Sequence, residues 1–161
     1  MKPSKQFFET DKLDRQILKI ISLDARTPYL EMAKTLGVSA GTVHVRVEKM
    51  RQAGIIEGTY VSLNEQKLGY DVCCFIGIIL KSAKDCDTVI KKLCKFDEII
   101  EAYYTTGNYS ILIKVMTHTI DELHHLLSSK IQSLDEIQST ETMISMKTLL
   151  SRSINPAQKD L

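Results

Sequence analysis

The sequence predicts an α+β fold built from two parts. Apolar residues recur at helical spacing as far as residue 53, whereas after residue 71 short apolar runs alternate with helical patterns in the order β-α-β-β-α-β. The first pattern is typical of a winged helix-turn-helix domain and the second of a ferredoxin-like domain. We expect these domains at 1–63 and 72–161, joined by a linker over 64–71 that shows no periodicity.

The bulk composition indicates a soluble globular protein. Of 161 residues, 43% are hydrophobic and 25% are charged, which is ordinary for that class. The longest apolar run, Val72–Leu80, is too short to span a bilayer, and no secretory signal is visible. We therefore expect a cytoplasmic protein without a membrane partner, with Cys73, Cys74, Cys86 and Cys94 as buried free thiols.

Charge is distributed unevenly along the chain. Residues 1–64 hold ten Lys/Arg and seven Asp/Glu, which leaves +3, whereas 65–161 hold eleven and thirteen, which leaves −2. A positive N-terminal part fits a surface that faces phosphate groups.

Three helices are expected in the N-terminal part. The first covers 12–24, the second starts with Thr27 as N-cap and Pro28 at its first position, and the third is capped by Ser39 and covers 39–53. Gly37 and Gly54 suit the ends of the second and third helices. The residues expected to face the core are Leu13, Ile17, Ile20, Ile21, Leu30, Ala33, Leu36, Val43, Val47 and Met50.

The second and third helices meet the requirements of a helix-turn-helix. The turn Gly37-Val38 is short, Ala33 is small enough for close helix packing, and Val43 faces the partner helix. The segment 55–63 then carries β-forming residues around Glu57-Gly58 and predicts a short strand or wing. The pattern favours DNA binding, with a plain three-helix bundle as the alternative.

The third helix supplies the candidate contacts to DNA. Its N-terminal residues Thr42, His44, Val45 and Arg46 are expected to meet base edges, with Arg46 suited to guanine, or alternatively to a salt bridge with the first helix. Residues further along the helix are expected to meet phosphate. The full candidate set is Ser39, Ala40, Gly41, Thr42, His44, Val45, Arg46, Lys49 and Arg51.

The C-terminal part predicts four strands and two helices. Strands are expected over 72–81, 98–105, 109–116 and 138–147, and helices over 85–95 and 120–131. Thr106-Gly107-Asn108 indicates a tight hairpin between the two middle strands. The helix residues expected to face the sheet are Val89, Ile90, Leu93, Cys94, Leu123, Leu127 and Ile131.

Two of these strands are apolar on both sides. In 72–80, Val72, Cys74, Ile76 and Ile78 alternate with Cys73, Phe75 and Ile79; in 109–116, Tyr109, Ile111, Ile113 and Val115 alternate with Leu112 and Met116. Both helices of such a fold cover the same sheet face, and an open face should carry polar residues. The second face therefore requires another cover, and we expect an obligate homodimer.

These motifs resemble the Lrp/AsnC, or feast/famine, family of regulators along almost the whole chain. The resemblance rests on Leu13-Asp14-Arg15-Gln16-Ile17-Leu18, Asp24-Ala25-Arg26-Thr27 and 37–47 in the N-terminal part. The stretches 75–85, 101–107 and 135–142 are similar to the asparagine-responsive members in particular.

The resemblance implies a double-stranded DNA operator as partner and a free amino acid, asparagine, as effector, with no other cofactor and no metal. It also implies dimers that gather into octamers, with effector sites between subunits. The pocket would be lined by the hairpin of one subunit and the approach to the last strand of another, which gives the candidates Tyr104, Thr106, Gly107, Asn108, Tyr109, Ser110, Asp135, Glu136, Gln138, Ser139 and Thr140.

The chemistry of these residues suits an amino acid. Gly107 lets amide N–H groups approach an α-carboxylate, Asp135 or Glu136 could meet the ammonium group, and Gln138 with its neighbours offers hydrogen bonds to a carboxamide. Ser110 stands where many relatives carry an acidic residue, which removes one ammonium partner. The alternatives are an ordinary tight hairpin and ordinary loop charge.

Two other functions were weighed. His118, His124 and His125 lie near Glu122, but the helical spacing of His124 and His125 gives no pair of metal ligands, and no catalytic motif is present. We therefore expect no enzyme. The second alternative is an architectural protein that wraps DNA without responding to a ligand.

Overall fold

The computed structural model describes residues 8–156, which form two compact units. The first unit contains the described residues up to 61 together with 151–156, and the second contains 62–150. The 64–71 segment, expected as a linker, thus lies within the second unit, where Gln66–Leu68 forms a 3-10 turn.

The first unit is a bundle of three helices: α1 (Lys12–Leu23), α2 (Tyr29–Leu36) and α3 (Ala40–Gln52). Gly37 ends α2 in the left-handed conformation, with φ of 67°, which is favourable for glycine. Ser39 caps α3 through its hydroxyl, as predicted. The buried apolar residues of the bundle are Ile17, Met32, Ala33, Val43, Val47 and Met50.

Of the two alternatives for 55–63, a strand or a wing, the strand does not form: these residues have no strand pairing, and 57–63 are exposed. Two further expectations for this unit are wrong. Leu30 is 60% exposed and Met32 is buried in its place, since the buried stripe of α2 is rotated by about one residue. Thr27 does not cap α2, because Pro28 occupies the N-cap position and the Thr27 hydroxyl donates to the Asp24 carbonyl instead.

The second unit has the predicted βαββαβ order. Its elements are β1 (Val72–Leu80), α4 (Cys86–Leu93), β2 (Ile99–Tyr104), β3 (Ile111–Thr117), α5 (Ile120–His125) and β4 (Ile137–Ile144). The strands form one antiparallel sheet in the order β2-β3-β1-β4. Helix α5 continues as one π-helical stretch, Leu126–Ile131.

One face of this sheet is closed by α4 and α5. We call it the covered face. Its buried side chains, which pack together with those of the two helices, are Cys74, Ile76, Ile78, Leu80, Ile111, Ile113, Val115, Val89, Leu93, Leu123, Leu126 and Ile131. This cluster forms the core of the unit and packs β1 and β3 against the two helices.

The opposite face, which we call the open face, carries the other parity of the same strands. The predicted alternation is confirmed, because Cys73, Phe75 and Ile79 of β1 are only half-buried where their neighbours are buried. The register places Leu112 of β3 and Met143 of β4 on the same face. The open face is therefore largely apolar over its central strands, with the charged Lys114 of β3 opposite Phe75 and paired with Glu101 of β2.

Three details of the second unit differ from the prediction. Cys94 is exposed, and Cys73 and Cys86 are only half-buried, so Cys74 alone of the four cysteines is a buried thiol. The π-helical stretch changes the helical register, and Leu126 is buried where Leu127 was expected. Tyr109 lies on the open face and not on the covered one, because the strand alternation starts only at Ile111.

Candidate DNA-binding and effector sites

The exposed side of α3 is formed by residues spaced one helical turn apart. Gly41, Val45 and Lys49 are exposed, and Val45 leaves 61% of its surface accessible although it is apolar. His44, beside them, contacts the Tyr29 ring at 5.6 Å between centroids. An exposed helix side with a central apolar residue and flanking polar groups fits the edge of a base pair.

The start of α3 is fixed by a local network. The Ser39 hydroxyl accepts a hydrogen bond from the Thr42 backbone N–H at 3.0 Å and lies 2.9 Å from the Thr42 hydroxyl. Ala40 packs against the core of the bundle. Ser39 and Ala40 thus stabilise the start of α3, and the half-buried Thr42 hydroxyl lies against the hydroxyl of the Ser39 cap.

Arg46 is paired with helix α1. Its guanidinium donates to the Asp11 carboxylate at 2.5 Å and to the Asp14 carboxylate at 2.9 Å. Asp14 is buried, with 5% of its surface exposed, and Asp11 is the N-cap of α1. Hydrogen bonds from the Asp14 N–H and from Arg46 hold the pKa of Asp11 below its ordinary value. The structure favours the salt-bridge alternative for this residue.

Two further basic residues lie near the end of α3. Arg51 forms an ion pair with Glu48 at 2.6 Å on the exposed side of the helix. Lys49 is exposed one helical turn after Val45. Flexible exposed cations at this distance from the N-terminal half of the helix suit phosphate contacts.

The candidate effector loop joins β2 to β3 over residues 105–110. Both of its ends are fixed: the Thr105 N–H donates to the Ser110 carbonyl at 3.1 Å, and the Ser110 N–H donates to the Ile78 carbonyl of β1 at 2.8 Å. The Ser110 hydroxyl accepts a hydrogen bond from the Leu80 N–H at 3.3 Å. The tip, Thr106 to Asn108, is exposed.

Gly107 at this tip has φ of 117°, a conformation that side-chain-bearing residues rarely adopt. A Cβ there would meet nothing within 4 Å. The backbone conformation thus requires glycine at this position, while the space beside it stays open to a ligand.

The second candidate segment, 135–140, leads into β4. Glu136 is already engaged, because its carboxylate accepts a hydrogen bond from the Lys92 ammonium at 2.6 Å, which also lowers the pKa of Glu136. Asp135, Gln138 and Ser139 are exposed. Thr140 accepts a hydrogen bond from Gln132 at 2.9 Å.

Strand β1 brings the loop and the segment to the same end of the sheet. Ile78 pairs with Ile111, just after the loop, on one side and with Thr140 on the other. Amide N–H groups at a glycine, carboxylates and neutral hydroxyl or amide groups therefore lie at one sheet end. Each subunit thus presents both sets of groups at the same end of its sheet, and together they suit a zwitterion with a polar side chain whether they come from one subunit or from two neighbouring ones.

Tyr104 is placed differently from the other effector candidates. It is 70% exposed and lines a groove beside α4 with Ile90 and Ala102. Tyr104 is the register partner of Ile111, so its backbone lies at the base of the loop while its side chain lines this groove.

Four residues at these sites were missed by the sequence analysis. Asp11 and Asp14 form a capping box at the start of α1, and their three-residue spacing before an apolar run is a recognisable signal. Gly77 and Glu141 contact Tyr109, and a glycine inside an apolar strand is a signal of close approach. The pairing of Glu141 left no signal in the sequence.

The described residues offer neither a metal site nor a membrane-spanning helix. No group of three or more His, Cys, Asp and Glu residues within 8–156 could hold a metal ion. The His118 ring lies 2.8 Å from the Gly69 carbonyl and stacks on Tyr70 at 4.2 Å, so it stabilises the segment before β1. Within the same residues no helix has both the length and the apolar character needed to cross a membrane.

Comparison with known proteins gives matches in both units. Residues 10–57 match a winged helix-turn-helix DNA-binding model, and residues 73–154 match the Lrp/AsnC ligand binding domain. The chain is 70% identical over 146 residues to the regulatory protein AsnC of Haemophilus influenzae, covering 91% of this chain and 97% of that protein. It is 59% identical to the regulatory protein AsnC of Escherichia coli K12, covering 91% and 96%.

Solved structures agree with the fold. The E. coli AsnC structure superposes with a TM-score of 0.89 at 57% identity, covering 92% of this chain and 100% of that one. A transcriptional regulator from Neisseria meningitidis in complex with L-Met superposes with a TM-score of 0.85 at 17% identity, covering 90% and 95%. The second likeness concerns the fold alone.

Proposed function

This chain belongs to the Lrp/AsnC family of DNA-binding transcription regulators, and we propose that its effector is L-asparagine. Family members carry an amino-acid-binding domain that modulates DNA binding, and this chain is such a regulator and not an enzyme. The effector site that we propose combines the 105–110 loop of one subunit with the 135–140 segment of a neighbouring subunit.

The loop geometry is the observation that carries this proposal. Gly107 has a positive φ with open space beside it. The Thr105 N–H donates to the Ser110 carbonyl across the loop, and Ser110 is also hydrogen-bonded to β1. A fixed loop with an exposed tip presents amide N–H groups without a large ordering cost, which favours a small carboxylate ligand.

The charges of the second segment assign roles within the site. Glu136 is held by Lys92, so we assign the ammonium group of the ligand to the exposed Asp135. Gln138 and Ser139 are exposed beside it and supply donors and acceptors to a carboxamide side chain. The stretches 75–85, 101–107 and 135–142, which resemble those of the asparagine-responsive members of the family, support asparagine as the amino acid.

Thermal unfolding with each of the twenty amino acids tests the effector. A ligand that binds the folded state stabilises it by RT ln(1 + [L]/Kd), about 2.7 kcal/mol at a hundredfold excess over Kd. We expect asparagine to raise the Tm more than aspartate or glutamine does. A Tm that no amino acid changes would favour the ligand-independent architectural protein instead.

On DNA, we propose that Gly41, His44 and Val45 face base edges and that Lys49 and Arg51 face phosphates. Arg46 is assigned a positioning role, because its guanidinium is held by Asp11 and Asp14. Operator affinity measured against salt concentration separates these roles: Lys49→Ala should reduce the slope of log K against log salt by about one unit.

Arg46→Ala should leave that slope unchanged and lower the Tm instead, because a buried carboxylate loses its partner. Asp14→Asn is the matched variant, since it removes the charge of the buried carboxylate and leaves Arg46 and its ion pair with Asp11 in place. A reduced salt slope in Arg46→Ala together with an unchanged Tm would assign Arg46 to DNA.

We also propose that the open face pairs with that of a second subunit and that dimers gather into an octamer in the cytoplasm. The half-buried apolar side chains of Phe75, Ile79 and Leu112 support the dimer, because their burial at about 25 cal/mol per Å² favours association. Sedimentation with and without asparagine tests the assembly: a monomer at micromolar concentration contradicts it. A ligand between subunits acts on DNA only if it binds the assembly states unequally.

A further inference from the structure

The Tyr109 side chain is seated on β1. An added Cβ at Gly77 would lie 2.5 Å from the Tyr109 Cδ1 atom and 2.6 Å from its Cγ. These are ring atoms close to the backbone of Tyr109, so the ring cannot avoid such a contact by a small rotation of its far end. Only glycine fits beneath the ring, and Gly77 is buried there.

The same ring reaches the neighbouring strand. The Tyr109 hydroxyl donates a hydrogen bond to the Glu141 carboxylate at 2.5 Å. Glu141 is the register partner of Gly77 across β1 and β4, so the side chain extends from the loop over β1 to β4 on the open face. This hydrogen bond raises the pKa of Tyr109 and keeps the donor proton on the hydroxyl.

These contacts act on the candidate effector loop directly. Tyr109 accepts a hydrogen bond at its carbonyl from the Thr105 hydroxyl at 2.8 Å, and the next residue, Ser110, is bonded to β1. Fixing Tyr109 therefore fixes the C-terminal half of the loop, which leaves the Gly107 tip exposed in one conformation.

We propose that Gly77, Tyr109 and Glu141 form a clamp that holds the 105–110 loop in its ligand-binding conformation, with Gly77 and Glu141 as positioning residues for the effector. The inference rests on the proposed function of this loop. A loop ordered before the ligand arrives loses less entropy on binding, which increases affinity. The clamp also connects the loop to the open face, where we propose that subunits pair.

Calorimetric titration of the full chain with L-asparagine tests the clamp. Tyr109→Phe and Glu141→Ala should each weaken binding about three- to tenfold, the range of one lost hydrogen bond. The double variant should be no weaker than either single variant, since both remove the same contact. Glu141→Gln keeps an acceptor and should recover part of the affinity.

The chain offers a matched control on the same sheet face. The Tyr103 hydroxyl donates to the Glu101 carboxylate, a bond of the same chemical type that holds no loop residue. Tyr103→Phe and Glu101→Ala should leave the Kd for asparagine within about twofold of the unaltered chain. A comparable loss of affinity in these controls would overturn the clamp, as would unaltered affinity in Tyr109→Phe and Glu141→Ala.

Amide hydrogen exchange without any ligand gives a second readout. Peptides that span 105–110 should exchange several-fold faster in Tyr109→Phe and Glu141→Ala, while peptides of β3 keep their protection. If the unaltered chain does not bind asparagine but the loop still loses protection in these variants, the effector assignment fails and the clamp stands. Unchanged loop exchange overturns the clamp whatever the ligand is.

Gly77 is tested in two backgrounds. Gly77→Ala should weaken asparagine binding and speed loop exchange, because the added methyl displaces the Tyr109 ring. In Tyr109→Ala the same substitution should have no further effect on either measurement, since no ring lies above it. Equal effects of Gly77→Ala in both backgrounds would show that Gly77 acts on strand β1 and not through the Tyr109 ring, which would remove it from the clamp.

Discussion

The two faces of the four-stranded sheet differ in charge and in what covers them: the covered face is apolar, whereas the open face combines apolar side chains with Lys114, Glu101 and Glu141. On the covered face, Ile76 and Ile78 lie among the side chains of α4 and α5 and have no exposed surface. On the open face, Phe75 and Ile79 of the same strand are half-buried, and α4 and α5 lie on the other side of the sheet. The covered face therefore stabilises the subunit, whereas we propose that burial of the open face stabilises the association of two subunits.

The largest expected difference concerns the covered face. Ile76→Ala removes buried methyl and methylene groups and leaves a cavity, so it should lower the free energy of unfolding by about 3 kcal/mol. Ile79→Ala, the same change three residues later on the open face, should act mainly on subunit association. Urea unfolding at two protein concentrations separates the two effects. If the loss in free energy of unfolding depended on protein concentration for Ile76→Ala and not for Ile79→Ala, the assignment of the faces would be reversed.

A charge on the open face should break the pairing of subunits. Leu112→Glu would bury an unpaired carboxylate in the dimer and should raise the dimer Kd by about a hundredfold or more. Sedimentation velocity and circular dichroism should show a smaller but folded species. Thr88→Glu, on the exposed side of α4, is the control and should sediment like the unaltered chain; identical sedimentation of both variants would argue against the open face.

The adjacent thiols lie on opposite faces of the sheet, with Cys74 on the covered face and Cys73 on the open face. Burial raises the pKa of Cys74 to about 11, so roughly one thiol in a thousand is ionised at pH 8. Mass spectrometry after iodoacetamide should find Cys74 unmodified in the native protein. Cys73 should be modified faster in Leu112→Glu than in the unaltered chain, because separation of the subunits exposes it; equal rates would contradict its burial by a partner.

The smallest expected effect comes from an ion pair beside the covered face. The hydrogen bond from Lys130 holds the pKa of Glu98 below its ordinary value of 4.5. A lowered folded pKa means that the pair stabilises the fold above about pH 4.5 and that this contribution is lost as the pH falls through the folded pKa. Glu98→Gln should cost about 0.5 kcal/mol at pH 7.

That cost should disappear near pH 3. Urea unfolding across this range measures it, and Asp97→Asn, at an exposed neighbouring position, serves as the control. A cost that persists at low pH would assign the effect to packing around Phe96, whose ring lies 5.4 Å from the Lys130 ammonium.

The sequence predicted those features that depend on local periodicity. The helix-turn-helix, the βαββαβ order and the apolar open face all follow from spacing along one element, and the structure and the family matches confirm them. Residues 55–63 show the limit of this approach: their β-forming side chains allowed a strand as well as a wing, and a strand also needs a partner strand, which no local pattern supplies.

Contacts between distant residues could not be obtained in this way. The pairing of Lys92 with Glu136 joins residues 44 positions apart, and that of Arg46 with Asp11 joins residues 35 apart. Each side chain has several possible partners of opposite charge, so composition leaves the choice open. The burial of Leu126 depends on a π-helical stretch that inserts an extra residue per turn, which spacing at 3.6 residues does not reveal.

The Asp11 carboxylate contacts two helices of the DNA-binding unit, α1 and α3. As the N-cap of α1 it accepts a hydrogen bond from the Asp14 N–H, and it also forms an ion pair with Arg46 of α3. A phosphate that recruited Arg46 would have to unpair two carboxylates and loosen the beginning of α1. If α3 meets DNA as we propose, its arginine is held by two carboxylates, and we expect discrimination among operators to depend on the uncharged residues beside it.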